Sequence, residues 1–90
     1  MRVKILNRYW ELRFARIQGK HWARCDPFDQ PNKEIVIHHR LSPVHELEAV
    51  LHEAYHAAAW YQSEEFVEEV AHDLARILWR LGWRKTGETA

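Results

Sequence analysis

The hydrophobic period of the chain changes once, near residue 42. From Arg2 to Leu6, and again from Tyr9 to Arg16, apolar and polar residues alternate, which predicts two short strands. Trp10, Leu12 and Phe14 share one face of the second strand, with Glu11, Arg13 and Arg16 off it. Asn7-Arg8 suits a tight turn, so the two strands read as a hairpin. Trp22 to Cys25 is a third short strand, followed by a turn-rich loop from Asp26 to Asn32. Glu34-Ile35-Val36-Ile37-His38 is a fourth strand, rich in β-branched residues.

Beyond it the period becomes 3.6. Ser42-Pro43 predicts a helix start, a hydroxyl cap followed by proline at the first helical position. Leu47, Val50, Leu51, Ala54, Tyr55 and Ala58 form the expected apolar stripe of a helix reaching about Trp60. Ser63 caps a second helix with an acidic first turn, and Val67, Val70, Ala71, Leu74, Ile77, Leu78 and Leu81 line its face. Gly82 ends it. Strands followed by a helical hairpin make an α+β fold: a sheet of three to four strands packed on two consecutive antiparallel helices. Trp10, Trp22 and Trp60 are expected in its core, with Trp79 and Trp83 at the helix end.

Ninety residues correspond to one domain, 1–90, with 47% hydrophobic and 29% charged residues. A core this small gives thin stability, which a bound metal or partner would raise. The single cysteine, Cys25, excludes an internal disulfide and reads as a buried or edge-strand thiol. No apolar run has the length of a membrane span or a secretory leader, so the expected compartment is the cytoplasm, without a membrane partner. Net charge is zero, but residues 1–24 hold seven basic side chains against Glu11, and residues 25–74 hold eleven acids against Lys33 and Arg40. These blocks are expected to attract one another within the fold; the overall neutrality speaks against a nucleic-acid partner.

The chemistry lies in His52-Glu53-Ala54-Tyr55-His56. Residues four apart on a helix lie one turn above each other, so both imidazoles can bind one zinc ion. Glu53 is rotated about 100° around the axis, off the metal and beside the water it would activate for attack on a carbonyl. A catalytic zinc site takes a third protein ligand and leaves one position open. The second helix offers several. At about 100° per residue Glu64 lies roughly 80° from the centre of the apolar stripe, Glu68 about 120°, Glu69 about 140° and Glu65 about 180°, which favours Glu64. Axial level instead places Glu68 opposite His56 and His72 opposite His52 if the hairpin turns near Gln62. Glu64 therefore ranks first, Glu68 second and Glu65 third. Tyr61 and His72 are candidate donors to a developing oxyanion.

The run Ile35-Val36-Ile37, then Leu41, Leu51-His52-Glu53-Ala54-Tyr55-His56-Ala57 and Ser63-Glu64-Glu65 with Val67 resembles small bacterial and phage-encoded HExxH proteins. These are compact relatives of the ImmA/IrrE-type metallopeptidases within the gluzincin group. The segment Asp73–Trp83 is similar as well, so the resemblance spans residues 34 to 83. It implies a minimal zincin-like fold, zinc as cofactor, a peptide or protein substrate, and a glutamate near the start of the following helix, Glu64 or Glu65, as third ligand. The link between His56 and Ser63 is shorter than that pattern, leaving little room for a substrate-binding insertion. Two functions compete on this sequence: a zinc endopeptidase with Glu53 as general base, and a catalytically silent zinc-binding domain that recognises a partner.

Overall fold

The computed structural model describes residues 1–86; residues 87–90 lie outside the described residues. The elements are β1 (Arg2–Ile5), β2 (Arg8–Ala15), β3 (Ala23–Cys25), β4 (Glu34–His38), α1 (Pro43–Ala58) and α2 (Glu64–Arg80). The strands form a four-stranded mixed sheet in the order β1-β2-β4-β3. β1 and β2 are an antiparallel hairpin, β2 and β4 run parallel, and β3 returns antiparallel along the far side of β4. The class is α+β.

The hairpin turns one residue earlier than the pattern predicts, at Leu6-Asn7, where both residues have positive φ (49° and 63°). Two left-handed residues in succession match the right-handed twist of the flanking strands, and Asn7 tolerates that conformation well. α1 starts after Ser42 with Pro43 in its first turn, but the Ser42 hydroxyl caps no backbone group. It bonds His45 Nδ1 at 2.9 Å instead. α1 ends at Ala58, short of Trp60. Ser63 does cap α2, its Oγ accepting the Phe66 N–H at 3.2 Å. At the other end Gly82 adopts φ 96°, and the N–H groups of Gly82 and Trp83 donate to the carbonyls of Trp79 and Leu78. That pair of bonds closes the helix as a Schellman motif, which needs a left-handed residue at Gly82.

One face of the sheet packs on α1. Trp10, Leu12, Ile35 and Ile37 are buried there against Ala49 and Ala57, with Val3, Ile5, Ala23 and Cys25 around them. The Trp10 indole N–H is satisfied by the Asp26 carbonyl at 3.1 Å. On the opposite face Val36 is also buried, and the register sets Arg13 and Arg24 on either side of it. Their aliphatic stems shield it while their heads reach Glu34.

Three expectations about packing change. The buried line of α1 is Ala49, Glu53 and Ala57, while Leu47, Val50, Leu51, Ala54 and Tyr55 are only half-buried and Ala58 is exposed. The cause is layering: α1 lies between the sheet and α2, so its narrow, small-residue side faces the sheet and the rest of its apolar surface is left to α2 and the margins. Trp22 and Trp60 are exposed rather than core; Trp22 packs on the His45 ring at 4.7 Å and Trp60 on His56 at 6.1 Å. On α2 only Val67, Ala71 and Ala75 are fully buried, because α2 packs on α1 and on no strand. Among the described residues no helix is long and apolar enough to cross a membrane.

Candidate metal centre

The centre stands where α1 ends and α2 begins. His52 and His56 project from one side of α1, their rings 4.8 Å apart. The link 59–63 reverses the chain, with the Gln62 N–H bonded to the Ala59 carbonyl, and the Ser63 cap then orders the first turn of α2. Glu64 is the first residue of that turn. His52 Nε2 donates to Glu64 Oε1 at 2.8 Å, and His56 Nε2 donates to Glu64 Oε2 at 2.7 Å. One carboxylate thus spans both imidazoles, and ligand atoms of the three residues lie within 4.8 Å of one another.

Glu64 holds this place because α2 starts directly after a five-residue link, which brings its first residue level with both histidines. Glu68, one turn further on, lines the neighbouring cleft without joining the group, and Glu65 stays outside it. Neither residue read as an oxyanion donor comes to the centre. Tyr61 is 84% exposed on the link. His72 is held elsewhere, its Nδ1 donating to Glu48 Oε1 at 3.2 Å beside Arg76, whose Nη1 approaches the same oxygen at 3.5 Å.

Glu53 occupies a different environment from the triad. Rotated from His52 towards the sheet, it is 8% exposed in the seam between α1 and β3. Burial pushes its carboxyl up to about 7; the neighbouring His52 opposes that shift and Glu64 adds to it. A carboxyl near neutrality in a cleft is suited to taking up and releasing a proton. Its effect reaches Cys25 on β3. Burial, then the charges of Glu53 and Asp26, raise that thiol to about 12, so Cys25 is no nucleophile at neutral pH.

Two adjoining clefts of about 440 and 650 Å³ open onto the triad, and both are lined by His21, Ala23, His52, Glu53 and Glu64. β3 forms their wall and is the edge of the sheet, its outer side free of any strand partner among the described residues. His21 is the residue that sequence reasoning missed. It lies in the loop before β3, thirty-one positions from His52, and no periodicity ties the two. Only a strand folded back over α1 brings them to one cleft.

The donor set fits a divalent metal. Two imidazole nitrogens and one carboxylate are borderline-soft and hard donors in the combination that holds zinc with a fourth position open. An ion among the three donors would replace the two Nε2–carboxylate hydrogen bonds with ligand bonds and offset the Glu64 charge that acts on Glu53. No family model, curated protein or solved structure matches the chain.

Proposed function

We propose that this chain is a small zinc-dependent peptide hydrolase with a minimal zincin-like, gluzincin-type centre in which His52, His56 and Glu64 hold the metal and Glu53 is the general base. The observation that carries this reading is the Glu64 carboxylate spanning both imidazoles while Glu53, one residue along α1, stays off the group and nearly buried at its side. Zinc, when bound, acidifies a water and polarises a carbonyl oxygen.

The chain's own residues supply the rest. Glu53 accepts the proton of the attacking water and returns it to the leaving amine, a role that suits a carboxyl raised towards neutrality. The free edge of β3 pairs with the backbone of an extended peptide and lays it along the clefts, which favours polypeptide over small substrates. His21, on the wall shared by both clefts, takes the place of Tyr61 and His72 as the candidate donor to a developing oxyanion.

The test is Glu53→Gln. The amide cannot accept the proton, so hydrolysis of denatured protein or a peptide library should fall by about 10²–10⁴-fold while zinc content and fold stay unchanged. Unchanged activity in this variant would remove Glu53 from the mechanism. The catalytically silent zinc-binding module draws support from one feature: the link 59–63 carries no insertion over the centre, and Tyr61 at its tip faces solvent. Zinc-loaded wild type that cleaves no polypeptide yet retains a partner through His52 and His56 would establish that second reading.

A further inference from the structure

The two clefts at the metal centre lie end to end. Residues 20–25, the α1 residues 48–56 and the start of α2 pass from one cleft into the other in step. One end is walled by Lys20, Trp22, Glu48 and Glu68, the other by Arg24, Cys25, Trp60 and Gln62, with the metal centre between them. The free edge of β3 follows the same line, so an extended peptide paired to it crosses the centre from one end to the other. Glu53 is 8% exposed, lines both clefts and has no hydrogen-bond partner among the described residues. A buried carboxyl left unpaired in an open cleft is a place for a group supplied from outside.

The two ends differ in chemistry. At one, the Trp60 ring is 39% exposed and stands 6.1 Å from the His56 ring. It belongs to the link 59–63 and takes no part in the buried core. An exposed indole at the mouth of a cleft is suited to an aromatic or large aliphatic side chain. At the other end Glu68 lies one turn beyond Glu64, about 6 Å along α2. A recess of about 340 Å³ opens beside it, sharing Glu48 and Glu68 with the first cleft and walled further by Glu65, Glu69 and His72. Glu48 is held by His72 and Arg76, whereas Glu65, Glu68 and Glu69 have no ion pair among the described residues. Lys20 offsets one of these charges. The end stays negative, and it suits a cationic side chain.

The geometry points to a peptide specificity with two determinants: an aromatic or large apolar side chain on Trp60 and a lysine or arginine side chain on Glu68, one on each side of the centre and always in the same order. The 6.1 Å from Trp60 to His56 and the rise of one turn from Glu64 to Glu68 add to a separation of roughly 12–15 Å. At 3.3 Å per residue that is about four residues of extended chain, and positions four apart share one face of it. Placing the scissile bond between the two determinants rests on the proposed hydrolysis; the recognition itself does not.

Zinc-loaded Glu53→Gln protein, which should hold peptides without cutting them, tests the recognition by fluorescence anisotropy. The probes are labelled alanine–serine peptides about ten residues long, enough to span both clefts, each with one phenylalanine and one lysine. Phenylalanine four residues from lysine should bind about tenfold more tightly in one order than in the reverse order. Trp60→Ala should remove the phenylalanine contribution and keep the lysine one. Glu68→Lys should do the converse and favour glutamate in place of lysine, and both variants should retain zinc. Salt at about 0.5 M should erase the lysine preference and spare that for phenylalanine. Equal affinity for both orders, including no binding up to about 1 mM, overturns the specificity. A lysine preference that is the same at every position, or that survives Glu68→Lys, overturns it as well, since the acidic side of α2 would then attract cations without a subsite. Wild type given the same peptides reads the hydrolysis separately. Cuts between phenylalanine and lysine support the placing of the scissile bond, and cuts elsewhere overturn it. Ordered binding without any cut supports the recognition and removes the hydrolase reading.

Discussion

Glu64 Oε1 lies 2.8 Å from His52 Nε2, and the two residues belong to different helices twelve positions apart. The contact exists because the link 59–63 is short and Ser63 fixes the first turn of α2. A ligand supplied in this way ties the two helices together when metal is present. Removing the metal with EDTA should therefore lower the melting temperature. At a free zinc concentration 100 times the dissociation constant, binding to the folded state adds about 2.7 kcal/mol. For a domain of this size that corresponds to roughly 10–20 °C. Glu64→Gln should reduce zinc affinity by at least the ~10–100-fold seen when an outer-shell partner is lost, measured by chelator competition. A variant that binds zinc as tightly as wild type would remove Glu64 from the ligand set.

The outer face of the sheet carries an acid-sensitive network. Arg13 Nε donates to Glu34 Oε2 at 2.8 Å and Arg24 Nη2 donates to Glu34 Oε1 at 3.1 Å, joining β2, β4 and β3. The Arg13 bond, with help from Arg24, holds the Glu34 carboxyl below its ordinary value. The folded state then binds fewer protons here than the unfolded chain. This contribution is fully present above the unfolded value near 4.5 and is lost as pH falls through the folded one. Thermal melts of wild type and Glu34→Gln should differ at neutral pH and converge in acid. The difference should be small and shrink in high salt, because the pairs are largely in water. Curves that diverge as pH falls would contradict this assignment.

Cys25 gives a second reading of the seam between β3 and α1. Its thiol is raised from 9.0 to about 12, first by burial and then by Glu53 and Asp26. Three decades less thiolate, partly offset by the higher nucleophilicity of a more basic thiol, should slow reaction with an aromatic disulfide on the order of 30-fold relative to an unhindered cysteine. Burial slows it further. Unfolding in urea should restore the ordinary rate, and a native rate equal to the unfolded one would place Cys25 in the open.

The parts of the fold written in local sequence were legible. The hairpin, the β-branched run 34–38, Pro43 at the start of α1, the Ser63 cap and the Gly82 stop each depend on neighbours a few residues away. The pairing of His52 and His56 on one side of α1 was legible for the same reason, since one helical turn fixes it. What depended on layering was not. The sequence stripe of α1 marks its most apolar side, but the sheet demands its smallest side, so Ala49 and Ala57 are buried with Glu53 between them. Trp22 and Trp60 are apolar by composition yet flank histidine rings at the cleft. His21 joins the site only through the return of β3 across α1. Glu64 lay between the two kinds: its angular phase favoured it, whereas axial level depended on where the hairpin turned.

The separation of α1 and α2 sets the geometry of the His52–His56–Glu64 group, and Ala71 is buried in the contact between the two helices. Ala71 is fully buried between the helices, two turns beyond Glu64 on the same helix. Ala71→Leu forces extra volume into this contact, which costs about 1–3 kcal/mol, and the cheapest relief is to move α2 outward. Glu64 rides on that helix, so its carboxylate would leave the two imidazoles although no ligand has been changed. Zinc affinity should fall about tenfold or more, since an error near 1 Å in a ligand set is large against a metal–ligand distance of about 2 Å. Ala71→Gly provides the control: it weakens the helix by about 1 kcal/mol without pushing the helices apart. The two variants should be destabilised to a similar degree, as read from urea melts of the metal-free protein, while only Ala71→Leu loses zinc. Equal loss of zinc in both would mean that the centre responds to stability in general, and that helix spacing does not tune it.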